Sequence, residues 1–205
     1  MDTSSNLNGE VNSQSRKMHG RKHLLHNCWT LWFDNPKLKK SNQSWEDNLK
    51  QLCDFRTVED FWSLYNNIQP ASRLSVQSTY HLFKKGVTPM WEDENNVNGG
   101  KWLITLTRHQ RDKIDETWLY TVLAVIGETL DETGDVMGCV VSLRKSHDRI
   151  ALWTKTSCDA QLQLTIGQRL RVALNLPNTV TLCYQSHQEA ARSSSSFKTK
   201  VLYEA

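Results

Sequence analysis

The stretch from Gly138 to Lys155, GCVVSLRKSHDRIALWTK, constrains the fold more than any other part of the chain. Two apolar runs of strand length flank a polar turn at Ser146–Asp148. Runs joined so closely pair as an antiparallel hairpin, because a parallel pair needs a long crossover. NCWTLWFD (27–34) alternates as a strand does, with Trp29, Leu31 and Phe33 on one side and Thr30 and Trp32 on the other. KWLITLTR (101–108) alternates again, and TVTLCYQ (179–185) reads as a further strand. Helical spacing appears between these strands. Val58, Phe61, Trp62, Tyr65 and Ile68 follow an N-cap at Thr57. ETWLYTVLAVIGETL (116–130) carries a broad apolar face, with Gly127 as a helix-ending or close-packing residue. A third helix runs through Leu162, Ile166, Leu170 and Leu174 and stops before Pro177. The pattern predicts an α+β fold, an antiparallel sheet with helices on one face.

A length of 205 residues suits one domain with a single core and a tail. Residues 1–22 are rich in Asn and Ser and poor in large apolar side chains, which predicts a disordered tail ahead of a domain at 23–205. His19, His23 and His26 lie near one another there, but a polar tail explains them more simply than a metal site does. No cofactor is expected. The balance of 25 basic and 22 acidic residues, formally +3, is too mild to mark a nucleic-acid binder by charge alone. Five cysteines without a C-x-x-C spacing, and no apolar leader, predict reduced thiols in an intracellular protein. No run approaches the roughly 18 apolar residues of a membrane helix.

Enzyme signatures are missing: there is no phosphate-binding G-x-x-x-x-G-K-[ST], no G-x-G-x-x-G, no H-E-x-x-H and no G-x-S-x-G. Glu92, Asp93 and Glu94 would be the candidates for acid–base or cation chemistry, yet consecutive side chains diverge. Asp93 and Glu94 read as a solvated turn. The tryptophans are more informative. Of the eight, Trp29, Trp62, Trp102 and Trp118 sit in periodic segments and read as packing residues, with Trp62 and Trp118 on their helix faces also suited to a partner groove. Trp45 and Trp91 instead lie at loop ends among polar neighbours, and Glu92 directly follows Trp91. Two such rings invite a flat ligand between them. Arg144, Lys145 and Arg149 surround the hairpin turn with Trp153 close by, and guanidinium groups suit phosphate oxygens.

TVEDFWSLYNNIQP, LFKKGVTPMWEDENN, GGKWLITL, VIGE, VVSLR, IALWTK and YQSH resemble segments of the eukaryotic translation initiation factor 4E family, which binds the mRNA 5′ cap. The resemblance runs from about His23 to the C-terminus. It implies a curved sheet of eight antiparallel strands, three helices on the convex side, a cap slot on the concave side, and a monomer that is not an enzyme. It assigns the sandwich around 7-methylguanine to Trp45 and Trp91, the guanine edge to Glu92, the methyl contact to Trp153, and the phosphates to Arg144, Arg149 and Lys101. Arg149 stands where Lys is frequent, and Ser146 where Lys is often seen. On the convex side it assigns His23, Val58, Trp62, Leu119, Leu123 and Gly127 to a groove for a Y-x-x-x-x-L-Φ helix of the scaffold factor 4G or of 4E-binding repressors. Leu24 there replaces a usual proline and Tyr120 a usual glutamate. Ser195 matches a serine phosphorylated in some relatives. The implied setting is the cytoplasm, with the nucleus as a second location. Two alternatives stand beside an initiation factor: a cap-binding repressor that does not recruit the scaffold, and a nucleotide phosphohydrolase using the acidic cluster.

These residue types match the ligand. Methylation at N7 makes guanine a cation, which electron-rich indoles attract by stacking and cation–π interaction. A carboxylate accepts from the two donors on the guanine edge, which adenine lacks.

Overall fold

The computed structural model describes residues 21–35, 46–177, 179–193 and 200–205. Among them, eight strands form one sheet in the order β2-β1-β3-β5-β6-β4-β7-β8. The strands are β1 (Leu24–Asp34), β2 (Lys50–Thr57), β3 (Thr79–Lys84), β4 (Gly100–Thr107), β5 (Val136–Ser142), β6 (His147–Thr154), β7 (Cys183–Ser186) and β8 (Tyr203–Glu204). Every pairing is antiparallel. The helices are α1 (Val58–Tyr65), α2 (Ile114–Ile126), α3 (Ala160–Ala173) and the short α4 (His187–Ser193).

Pleating sends alternate residues to opposite faces, and the two faces have different tasks. Trp29, Leu31, Leu82, Cys139, Val141, Leu152, Trp102 and Ile104 form the main core with Phe61 of α1, Trp118 and Val122 of α2, and Ile166 and Leu170 of α3. The other face holds a smaller cluster of Phe83, Val87, Met137, Val140, Ala151 and Trp153, against which Trp91 and Leu103 pack. The three longer helices thus cover one face, as expected. The fourth helix was not foreseen, and its first residue, His187, packs on Trp153.

Thr57 caps α1 as predicted, its hydroxyl accepting from the Asp60 amide at 3.1 Å. Gly127 caps α2 in an ordinary right-handed conformation. The left-handed residue that turns the chain is Glu128, at φ 52°. The hairpin turn differs by a few residues from its predicted place: β6 starts at His147, so the connection spans 143–146. The predicted strand at 179–185 shrinks to Cys183–Ser186. Three strands escaped the alternation test: β8, with two residues, is too short to show a pattern, and the other two escaped for opposite reasons. Five of the six residues of β3 are buried, because both faces of that strand are covered. The edge strand β2 is largely exposed and polar. Trp45, Ser195, His19 and most of the predicted tail lie outside the described residues.

Candidate functional site

A cavity of about 450 Å³ opens on the face away from the main core, lined by strands β1, β3, β4, β5 and β6 and by the 89–92 turn. The strand register explains its make-up. Asp34, Thr79, Ser142 and Arg149 lie in one row across β1, β3, β5 and β6. His81, Val140, Ala151 and Leu103 form the next row. Trp153 and Lys101 pair in the row beyond.

The turn carrying Trp91 and Glu92 is fixed from within. Asp93 accepts from the Thr88 amide at 2.7 Å and the Asn95 amide at 2.9 Å. The fully buried Asn96 donates to the carbonyls of Thr88 and Met90 at 2.8 and 2.9 Å. Burial alone would raise the Asp93 pKa, but the hydrogen bonds it accepts hold it below the ordinary value. Asp93 is therefore a scaffold of the turn and not the solvated side chain expected from sequence. With Asp93 committed to the backbone, the three acids do not form a catalytic set. Glu94 is exposed as expected, and Glu92 is exposed beside the half-buried Trp91.

Cations surround the slot. Lys101 is 7% exposed and its ammonium lies 5.8 Å from the Trp91 ring centroid, within cation–π range. Burial first, then the neighbouring Arg149, lower its pKa to about 8. Arg144 and Arg149 are both half-buried and both have lowered pKa values. Burial is the main cause in each, and Arg149 also feels the charge of Arg144. Arg149 thus has a like charge on either hand, Lys101 and Arg144, and such crowding is relieved by an anion.

The 143–146 turn is held by a residue that sequence reasoning missed. Asp148 is 1% exposed and takes Arg111 Nε at 2.7 Å and Nη2 at 2.8 Å. It also accepts from the Arg144 amide at 3.0 Å, which pins the backbone of a slot arginine. Trp153 is 7% exposed, edge-on to Phe83 with centroids 5.4 Å apart and 4.0 Å from the His187 ring. His187 is buried beside Lys101, and burial first, then that cation, lowers its pKa to about 3. The imidazole is neutral and acts as packing behind the indole. A second missed feature is a hydrogen bond of 2.7 Å between His81 Nε2 and Asp34 Oδ2, both residues being buried in the slot wall.

The structure brings Trp91, Glu92, Lys101, Arg144, Arg149 and Trp153 to one cavity. Among the described residues, no group of three or more His, Cys, Asp or Glu side chains could hold a metal ion. The arrangement offers an aromatic face, a carboxylate at its side and a cationic wall, which suits a flat cationic base that carries phosphates.

A family model described as Eukaryotic initiation factor 4E matches residues 24–202. The chain belongs to this family. The human eukaryotic translation initiation factor 4E is 47% identical over 182 residues, covering 87% of this chain and 82% of the human one. The Caenorhabditis elegans factor 4E-3 is 41% identical over 203 residues, covering 94% of this chain and 79% of its own. Its solved complex with the 4E-binding protein Mextli and a cap analog superposes with a TM-score of 0.81 at 40% identity, covering 90% of this chain and all of the other. Ascaris suum eIF4E-3 with the m7G cap gives a TM-score of 0.81 at 40% identity over 90% of this chain and 98% of the other. The same protein has been solved with the m2,2,7G cap, at a TM-score of 0.79 and 42% identity over 88% of this chain and 98% of the other.

The helix-bearing side holds the second set of candidate residues. Val58 and Trp62, one turn apart on α1, are each 36% exposed. Leu119 and Leu123, one turn apart on α2, are half-buried against the main core. His23 joins β1 to α1: its carbonyl accepts from the Val58 amide at 2.9 Å, and its amide and Nδ1 reach Glu59 at 3.0 and 2.6 Å. Leu24 is 69% and Tyr120 43% exposed, so apolar surface at both departures faces solvent. A Cβ on Gly127 would sit 2.9 Å from the Leu123 carbonyl oxygen, which explains the glycine at that helix end. No helix among the described residues is long and apolar enough to cross a membrane.

Proposed function

We propose that this chain binds the 7-methylguanosine cap of mRNA in the slot and delivers the message to the translation machinery in the cytoplasm. The cap base stacks on Trp91, with Trp45 closing the sandwich from the 36–45 segment. Glu92 accepts from the guanine edge, and Trp153 meets the N7-methyl group. Arg144, Arg149 and Lys101 hold the phosphates. On the opposite side, Val58, Trp62, Leu119 and Leu123, with His23 and Gly127 at the ends, bind the apolar stripe of a scaffold or repressor helix. The protein is a binding factor and not a catalyst.

One observation carries this reading: the half-buried Trp91 ring, an exposed carboxylate next to it and three cations share one cavity. Family membership and the cap complexes of the nematode relatives support it. Tryptophan fluorescence titrated with 7-methyl-GTP and GTP tests it. The methylated nucleotide should bind far more tightly, and Trp91→Ala should weaken it by about 1–3 kcal/mol, one stacking surface. Equal affinity for the two nucleotides, or an unaffected Trp91→Ala, would overturn the assignment. A titration with trimethylguanosine cap reports whether the slot takes the bulkier amine, as the Ascaris relative does.

A further inference from the structure

The cap reading assigns roles to the aromatic and cationic walls of the slot, but not to the carboxylate on its β1 side. Asp34 is 3% exposed and His81 5%, and both line the cavity. Carboxylates are rarely buried this deeply unless they are paired or have a ligand to meet. The pair with His81 occupies Asp34 Oδ2. A carboxylate has two oxygens and accepts at both. The neighbouring side chains of the wall are hydroxyls: Thr79 directly opposite Asp34 on β3, and Ser142 opposite Thr79 on β5, with 3.4 Å between their hydroxyl oxygens. Arg144 of the phosphate wall feels the Asp34 charge, and along the row the hydroxyls of Thr79 and Ser142 lie between the Asp34 carboxylate on β1 and Arg149 on β6. In a nucleotide whose base meets Trp91 and Glu92 and whose phosphates meet Arg144 and Arg149, the group between them is the sugar. A ribose presents two adjacent hydroxyl donors, and a carboxylate is the side chain that accepts both.

Resting on the cap reading, we propose that Asp34 reads the ribose of the bound nucleotide, accepting from its 2′- and 3′-hydroxyls, with His81 as the positioning residue that orients the carboxylate. The slot then distinguishes a ribonucleotide from a deoxynucleotide, as well as a methylated base from an unmethylated one. His81 holds the carboxylate in one rotamer through the 2.7 Å bond across the β1–β3 pair, so the acceptor is in place before the sugar arrives. A nucleotide without these hydroxyls leaves a buried charge with an unmade hydrogen bond. Such a loss exceeds that of an ordinary contact.

The test uses the full chain and four nucleotides: 7-methyl-GTP and its 2′-deoxy, 3′-deoxy and 2′,3′-dideoxy forms, with dissociation constants read from tryptophan fluorescence. The dideoxy form should bind about tenfold more weakly than the ribonucleotide, and each mono-deoxy form should fall between. Asp34→Asn and His81→Gln should narrow the ratio between the ribonucleotide and dideoxy forms toward one, a readout that a merely structural pair would not move. Equal affinity of the unaltered protein for all four nucleotides overturns the proposal while leaving the cap reading intact. Failure to bind 7-methyl-GTP at all overturns the cap reading, and the ribose reading with it. The unaltered protein decides the matter even if a variant fails to fold.

Discussion

Replacing Asp148 with alanine should expose how the phosphate wall is built. The carboxylate is 1% exposed and accepts three hydrogen bonds, two from Arg111 and one from the Arg144 amide. Removing one partner of a buried pair costs about 3–5 kcal/mol, because the other is left charged and uncompensated. The Arg111 side chain is 33% exposed, so water recovers part of that loss. The expected cost is about 2–3 kcal/mol, a fall in Tm of roughly 5–10 °C for a chain of this size. Urea unfolding at pH 7 measures it, with the slope unchanged. The pH dependence adds a second check. Burial alone would raise the Asp148 pKa, but Arg111 and the Arg144 amide hold it below the ordinary value. A carboxylate lowered on folding stabilises above its unfolded pKa of about 3.9, and loses that contribution as pH falls through the lower folded value. The deficit of Asp148→Ala should therefore be full at pH 7 and shrink below about pH 4. A loss under about 1 kcal/mol, or one that stays constant down to pH 2, would refute the assignment of Asp148 as the buried anchor of this turn.

Glu92→Gln should reduce affinity for 7-methyl-GTP and reduce discrimination against other 7-methylated purines; unchanged discrimination in a fluorescence titration would remove Glu92 from base recognition. Phosphate favours the charged form of Lys101, whose pKa burial and Arg149 lower to about 8, so the affinity ratio of 7-methyl-GTP to 7-methylguanosine should fall as pH rises past about 8. Both ligands share the base, so its own titration cancels in the ratio, and a flat profile from about pH 7 to 9.5 counts against Lys101 as a phosphate ligand. A Cβ at Gly99 would come within 1.9 Å of the Thr154 carbonyl oxygen. Gly99→Ala should accordingly cost about 3 kcal/mol in urea unfolding, and a neutral result would mean that β4 and β6 do not approach so closely. Trp62→Ala should weaken capture of a Y-x-x-x-x-L-Φ peptide and leave 7-methyl-GTP affinity unchanged; a parallel loss of both would mean that the indole supports the fold and not the groove.

Much of this was legible in the residues because pattern and burial agree. The alternation of β4, the apolar hairpin runs of β5 and β6, the Thr57 cap and the apolar stripes of the helices are local signals, and local signals survive folding. Trp91 and Glu92 were conspicuous because an indole among loop acids has no packing explanation. What stayed hidden depends on contacts between distant segments. Asp148 looks like any turn residue until Arg111 arrives from 37 positions away. Asp34 and His81 are 47 residues apart and meet only because β1 and β3 pair. Asp93 was misread for a different reason. Its partners lie within five residues, but they are backbone amide donors, which leave no mark in an amino-acid pattern. The assignments of Lys101, Trp153 and the partner groove came from the family resemblance, since a buried lysine and a buried indole carry no label of their own.

The division of labour along β4 and β6 has an evolutionary consequence. Lys101 and Trp153 face the nucleotide cavity, while their immediate neighbours Trp102 and Leu152 fill the helix-covered core. Deleting one residue within either strand would exchange these roles, putting a cation or a polar-edged ring into oil and a greasy side chain against the phosphates. Message binding and chain integrity would then fail together. The interiors of these two strands should change by substitution and never by a change in length.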